Sequence, residues 1–288
     1  MTYSIAARDP ETGDIGVGVQ THQPSVGAIV PWIDPLVGAV ATQASVNPKF
    51  GPQGLALMKS GLNAERALKG ILATDSGSSH RQVALLPCAG PPAVHTGTDC
   101  IPFAGHQTGE HYSVQANMML RDTVPAAMAA AFEAATGHLA ERILAALEAA
   151  QGEGGDIRGS QSAAILVRRP GPFDFTWDLR ADNDAHPNAR LRELVHMRLA
   201  ERIIEQAIAD APTPERLAAA FESANRLAPS DEQTFWFALS GLNGALKDAG
   251  AAAELLVPLF ERAPQWKELL HRLDQPELAT LKGRFPRR

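Results

Sequence analysis

Only two cysteines, two tyrosines and four tryptophans occur in these 288 residues. Cys88 and Cys100 cannot build a disulfide framework, and neither sits in a Cys-x-x-Cys pair, so a reduced setting is the simpler expectation. Basic charge is not in excess either: 26 Lys and Arg stand against 32 Asp and Glu, a formal net charge of -6. Phosphate backbones are bound by clustered cations, so no nucleic-acid partner is expected; only the short stretch 282–288 is locally basic. No run approaches the ~20 apolar residues of a membrane span, so no membrane partner is expected. The opening Met-Thr-Tyr-Ser-Ile has neither a basic leader nor an apolar signal core, which points to a cytoplasmic protein. A phosphate-binding Gly-x-x-x-x-Gly-Lys-Ser/Thr motif is missing, and Gly13, Gly16 and Gly18 fall on a hairpin. His22 and His95 lack the spaced partners of a zinc site, so neither metal nor cofactor is expected.

What is present is an ordinary globular balance, 45% hydrophobic and 20% charged, in a chain long enough for one sizeable domain and a smaller appendage. Alternation over 2–8 and 15–19, around the turn-forming stretch 9–14, predicts an N-terminal hairpin. Further strands are predicted at 28–30 and 37–44, then helices at 52–59 and 63–74 with Asn63 as N-cap. Strands follow at 82–86, 93–96 and 112–119, two alanine-rich helices at 124–135 and 138–150, and strands at 162–167 and 173–179. Strands alternating with helix pairs suggest an α+β fold in which sheets are covered by helices, a four-layer αββα sandwich over residues 1–185. Residues 186–288 read as helical. A weak period near ~34 residues there matches a tetratricopeptide unit: Trp236, Leu239, Ala252 and Pro264 occupy pattern positions, Ser240 replaces the usual glycine, and Phe221, Ala224 and Pro229 mark a poorer copy. Two amphipathic hairpins packed on the main domain account for the pattern equally well, with Trp236 and Trp266 as core residues.

Thr2 is the candidate nucleophile. Removal of Met1 ahead of so small a residue frees an α-amine, whose ordinary pKa of ~7.7–8.0 suits it to act as base for the neighbouring hydroxyl. General-base help of this kind is typically worth ~10²- to 10⁴-fold in rate. A start on a strand fixes the nucleophile and leaves it at an edge.

The segments 2–9 (TYSIAARD), 40–48 (VATQASVNP), 95–97 (HTG), 112–118 (YSVQANM) and 155–163 (GDIRGSQSA) resemble the domain of unknown function 1028 family. That resemblance covers about residues 2–185 and implies an N-terminal-nucleophile hydrolase-like fold with Thr2 at the nucleophile position. Gln23-Pro24 replaces the aromatic residues that many members carry after the second strand, and no lysine matches the one that assists threonine in the proteasome branch; Lys49 is only a loose counterpart. The helical region is similar to an appendage of longer members that has been called peptidoglycan-binding.

Amide hydrolysis needs donors for a developing oxyanion, and neutral amides supply them without a buried charge. Gln43, Asn47, Gln115 and Asn117, all at strand ends within the matched motifs, are the candidates; capping of sheet edges is their alternative role. Ser4 and Thr42 are expected near Thr2 if their strands are neighbours. Asp156 and Arg158, in a glycine-rich loop, can pair and orient Ser162 or the substrate, or form a plain loop salt bridge. Cys100 with His106 is a rival nucleophile pair, weaker because cysteine is readily buried as a small apolar residue. Three functions remain open. One is an amidohydrolase cleaving a small amide or ureide-like C–N bond through Thr2; another is a silent domain whose helical tail recruits a peptide or cell-wall fragment; the last is a homodimeric scaffold.

Overall fold

The computed structural model describes residues 2–171 and 177–287, so Met1 and the first part of the strand expected at 173–179 lie outside them. The chain divides into two compact units, Met1–Arg192 and Glu193–Arg288. The first is a mixed α/β unit with two antiparallel sheets.

Strands β1 (Thr2–Arg8) and β2 (Ile15–Thr21) form the predicted hairpin. Its turn closes through Asp9 N to Asp14 O at 2.8 Å, with Gly13 at φ 75°, a left-handed conformation that glycine adopts without steric cost. Next come β3 (Pro31–Asp34), β4 (Gly38–Ala44), α1 (Phe50–Lys59), α2 (Ala64–Leu72), β5 (Arg81–Pro87) and β6 (Ala93–Thr96). After these follow β7 (Gly105–Thr108), β8 (Tyr112–Asn117), α3 (Val124–Ala134), α4 (Leu139–Gly152), β9 (Ser162–Arg168) and β10 (Trp177–Ala181). One sheet has the order β10-β9-β2-β1-β8-β7, the other β3-β4-β5-β6.

Residues 28–30 are not a strand: Val26–Ala28 is a 3-10 turn entered from Ser25 at φ 57°, and the strand begins at Pro31. Proline lacks the ladder donor and fits the first residue of this edge strand. β7 was not foreseen, because Gly-His-Gln-Thr carries no apolar alternation for an exposed edge to display.

Helices α3 and α4 pack on the six-stranded sheet, α1 and α2 on the four-stranded one, and the remaining faces of the sheets meet each other. Side chains of β1 therefore divide by parity. Tyr3 and Ile5 turn toward α4, while Thr2, Ser4, Ala6 and Arg8 turn toward the other sheet. α4 lies so close to β2 that a Cβ on Gly18 would stand 2.3 Å from Ile143 Cγ2. Its start is fixed by a reciprocal cap: His138 Nδ1 accepts from Ala140 N, and Glu141 accepts from His138 N at 2.9 Å. Asn63 caps α2 as its position predicts, accepting from Arg66 N at 2.9 Å.

Helix α5 (Pro187–Ala209) runs from the first unit into the second, which continues with α6 (Pro214–Leu227), α7 (Asp231–Trp236), a π-helical stretch Phe237–Ala245, α8 (Ala249–Arg262), α9 (Gln265–Arg272) and α10 (Ala279–Arg284). Its core gathers Phe235, Leu256, Leu259, Leu270 and Leu281. Trp266 packs there against Phe235 at 4.9 Å between centroids, but Trp236 is 40% exposed and not a core residue. Phe237, Ala238 and Leu239, which open the π-helical stretch, are buried. Among the described residues no helix is long and apolar enough to cross a membrane.

Candidate functional site

The layer between the two sheets changes character along the strands. At the β1 C-terminal end it is aliphatic, with Ala6, Val17, Val19, Ala41, Ala84 and Leu86, closed by Arg8, which donates to Pro87 O at 2.5 Å and Gly90 O at 2.8 Å. Toward the start of β1 it turns polar. Thr2 pairs with Thr21 on one side and Asn117 on the other; Ser4 pairs with Val19 and Gln115. Thr2, Ser4, Gln43, Gln82, Gln115 and Asn117 are all buried, so their polar atoms require partners inside the protein.

Two amides converge on one carbonyl. Gln43 Nε2 and Asn117 Nδ2 each donate to Thr2 O at 3.2 Å. Both also donate to Gln82 Oε1, at 2.7 and 2.9 Å. Gln82 in turn donates through Nε2 to Thr96 Oγ1 at 2.9 Å, Ala116 O at 3.0 Å and Gly105 O at 3.1 Å. Ser4 Oγ donates to Gln43 Oε1 and accepts from Gln115 Nε2, both at 2.6 Å. Thr2 Oγ1 donates to Thr21 Oγ1 at 3.2 Å. The nucleophile candidate is thus held by its carbonyl from both sheets, with its hydroxyl in a weak, long contact.

A family model described as a family of unknown function, DUF1028, matches residues 2–191. The chain belongs to the DUF1028 family. It is also similar to a crystal structure of protein SPO2555 from Silicibacter pomeroyi, a DUF1028 structure, with 32% identity and a TM-score of 0.62 over 76% of this chain and 90% of that one. No curated protein matches it.

Within this DUF1028 chain the expected site residues separate into three groups. Ser4, Gln43, Gln115 and Asn117 gather at Thr2. Each proton of the Gln43 and Asn117 amides already has an acceptor, so these two position Thr2 and leave none for an oxyanion. Gln115 donates through Nε2 to Ser4 Oγ, and its Oε1, an acceptor with nothing to give an oxyanion, is buried without a hydrogen-bond partner.

Thr42 and Asn47 stand apart. β1 and β4 lie in different sheets, and Thr42 faces away from Gln43, donating to Asn47 O at 3.1 Å, while Asn47 Oδ1 accepts from Lys49 N. Lys49 sits exposed at the start of α1.

Asp156, Arg158 and Ser162 form a neighbouring group at the ends of β2 and β9. Arg158 grips Asp156 through Nη2 to Oδ2 at 2.7 Å and Nε to Oδ1 at 3.0 Å, and Asp156 Oδ2 also accepts from His22 N at 3.2 Å. Ser162 Oγ donates to Gln23 O at 2.5 Å and accepts from Val26 N at 3.1 Å, fixing the chain after β2. The expected ion pair exists, and what it anchors directly is the backbone at His22.

Cys100 and His106 are committed elsewhere: Cys100 Sγ donates to Arg81 O at 3.4 Å, and His106 Nδ1 lies 2.8 Å from Thr96 Oγ1. Burial pushes the Cys100 thiol above its ordinary pKa, opposite to what a reactive thiolate needs.

Gln82 is the residue that sequence reasoning missed. The available signal was a polar residue opening an otherwise apolar strand, Gln82-Val-Ala-Leu-Leu.

Proposed function

We propose that this protein is an amidohydrolase in which Thr2, made N-terminal by removal of Met1, attacks a small-molecule amide or ureide C–N bond. The observation that carries this reading is the pair of buried amides from opposite sheets, Gln43 and Asn117, that hold the carbonyl of residue 2 at 3.2 Å. A plain strand start needs only its ladder partners; two further side-chain donors restrict where the hydroxyl and the amine of this residue can go. In support, helix pairs lie on the outer faces of two packed sheets, the arrangement of an αββα sandwich, which we read as of the N-terminal-nucleophile hydrolase type.

In this mechanism the free α-amine of Thr2 takes the hydroxyl proton as Oγ1 bonds to the amide carbon. The tetrahedral oxyanion collapses, the C–N bond breaks, and the ammonium returns its proton to the leaving nitrogen. Water then attacks the threonyl ester with the same amine as base, releasing the acid and restoring Thr2.

A screen of small amides and ureides against wild type, Thr2→Ser and Thr2→Ala, with the N-terminus of each protein sequenced, tests the reading. Turnover with wild type, residual turnover with serine and none with alanine are expected; equal turnover with alanine removes Thr2 from the mechanism.

A second reading is favoured by the helical unit. There an open groove of about 860 Å³ runs between α6 and α8, floored by Phe221 stacked on Phe237 at 4.3 Å and walled by Leu242, Leu246 and Leu255. We read this unit as tetratricopeptide-like, and the groove as the surface through which a non-catalytic protein would recruit a peptide. Calorimetric titration with apolar peptides, compared with Phe221→Ala, decides whether the groove binds.

A further inference from the structure

Five large hydrophobic side chains of the first unit are exposed among the described residues, and four of them gather in one place: Ile101 (47%), Phe103 (49%), Leu120 (47%) and Ile157 (57%). Leu36, at the turn between β3 and β4, is the fifth.

Backbone hydrogen bonds bring the four together. Met118 N donates to Ile101 O at 2.9 Å, Met119 N to Phe103 O at 3.1 Å, Leu120 N to Gly155 O at 2.9 Å, and Ile157 N to Met118 O at 3.2 Å. The segment 118–120 thereby runs between the segments 101–103 and 155–157. It directly follows Asn117, the register partner of Thr2 whose amide holds the Thr2 carbonyl. The apolar rim is therefore built onto the segment that leaves β8, whose last residue, Asn117, pairs with Thr2 of β1.

Exposed apolar side chains scattered singly carry no message, but a cluster beside a polar site marks a contact surface. The arginines beside this one are engaged within the chain: Arg158 with Asp156 at 2.7 Å and Arg121 with Glu153 at 3.5 Å. The rim therefore matches an uncharged apolar group and not a carboxylate.

Resting on the Thr2 reading, we infer that the substrate is an amide with an uncharged, aliphatic acyl group that lies on the rim of Ile101, Phe103, Leu120 and Ile157. The reaction is R–CO–NH–R′ + H₂O → R–COOH + H₂N–R′. The acyl carbon exchanges its bond to nitrogen for one to Thr2 Oγ1, then for one to water oxygen, while the hydroxyl proton leaves with the amine. Of the two substrate halves only the acyl group stays on Thr2 through both steps. A surface anchored to residue 117 can thus act on ester formation and on its hydrolysis.

The test uses the full chain with Met1 removed and the 4-nitroanilides of acetic, butyric and hexanoic acid. Partial burial of each added methylene on an open rim is worth about twofold, so kcat/KM rises about tenfold or more from acetyl to hexanoyl. The double variant Ile101→Ser, Ile157→Ser brings that ratio near one, while Leu36→Ser keeps it. A flat series in wild type, or a steep one unchanged in the double variant, overturns the inference. If no nitroanilide is cleaved, the Thr2 reading fails separately, and the rim is judged by ligand-observed NMR on Thr2→Ala protein with acetamide and hexanamide. Hexanamide binding that the double variant abolishes supports the rim; equal signals from the two amides overturn it.

Discussion

At the scale of single residues, the polar end of the inter-sheet layer depends on Gln82. Its one carbonyl oxygen accepts from both amides that hold Thr2, and its own amide reaches across to Ala116 and Gly105 of the other sheet. Gln82→Met keeps the volume and removes the acceptor, leaving a proton unpaired on the buried Asn117 amide, while Gln43 Nε2 keeps Thr2 O and Gln115 O, the latter at 3.3 Å. Such a loss costs ~1–3 kcal/mol, so the variant is expected to be about 1–3 kcal/mol less stable by urea denaturation. A change below about 0.5 kcal/mol would show that the network relaxes without it. The sequence made Gln43, Gln115 and Asn117 visible because polar residues near strand ends inside shared motifs stand out. For Gln82 the one signal, a polar residue opening an apolar strand, was ambiguous: strand parity gives a residue's face, but a buried face and a wet one look alike when the residue is polar. Parity does forbid one expectation in hindsight. Thr42 and Gln43 are adjacent on a strand, so only one of them can face Thr2.

At the scale of elements, a close approach and a pinned loop set the frame around the site. α4 rests on the glycine face of β2, and Gly18→Ala would drive a methyl to 2.3 Å from Ile143 Cγ2. Overpacking of this kind costs typically ~1–3 kcal/mol, read as a lowered thermal midpoint for that variant; an unchanged midpoint would mean that α4 shifts freely. The glycines of β2 were legible as hairpin residues, while their packing role depends on a helix more than a hundred residues later.

The loop after β4 is pinned differently. Arg81 donates to Asp75 Oδ2 at 2.9 Å and Oδ1 at 3.2 Å, and also to Ser45 O and Ser45 Oγ. The hydrogen bond from Arg81 holds the Asp75 carboxyl below its ordinary range. A depressed acid contributes stability that is present above its unfolded pKa of ~3.9 and is lost as pH falls through the folded value. Wild type should therefore lose stability in that acid window relative to Asp75→Asn, whose denaturation midpoint lacks this component; parallel pH profiles would contradict the assignment. β7 and the 3-10 turn at Val26–Ala28 escaped the sequence for a related reason: each is set by its neighbours in the sheet and not by a local apolar period.

At the scale of the whole molecule, the chain is two units with separate cores. The family relationship covers residues 2–191, essentially the first unit, and the proposed chemistry lies within it. If the helical unit takes no part in catalysis, Phe221→Ala in its groove leaves amide turnover unchanged and lowers only peptide binding; loss of both would tie the two units together in one function. The proposed chemistry turns on residue 2. The most direct measurement is rapid quenching of the protein during turnover of an amide, followed by peptide mapping by mass spectrometry. The account predicts an N-terminal peptide that begins at Thr2 and carries the acyl mass as a hydroxylamine-labile ester, absent in Thr2→Ala. Turnover by protein that retains Met1 quantitatively, or an acyl group on any other residue, would contradict it.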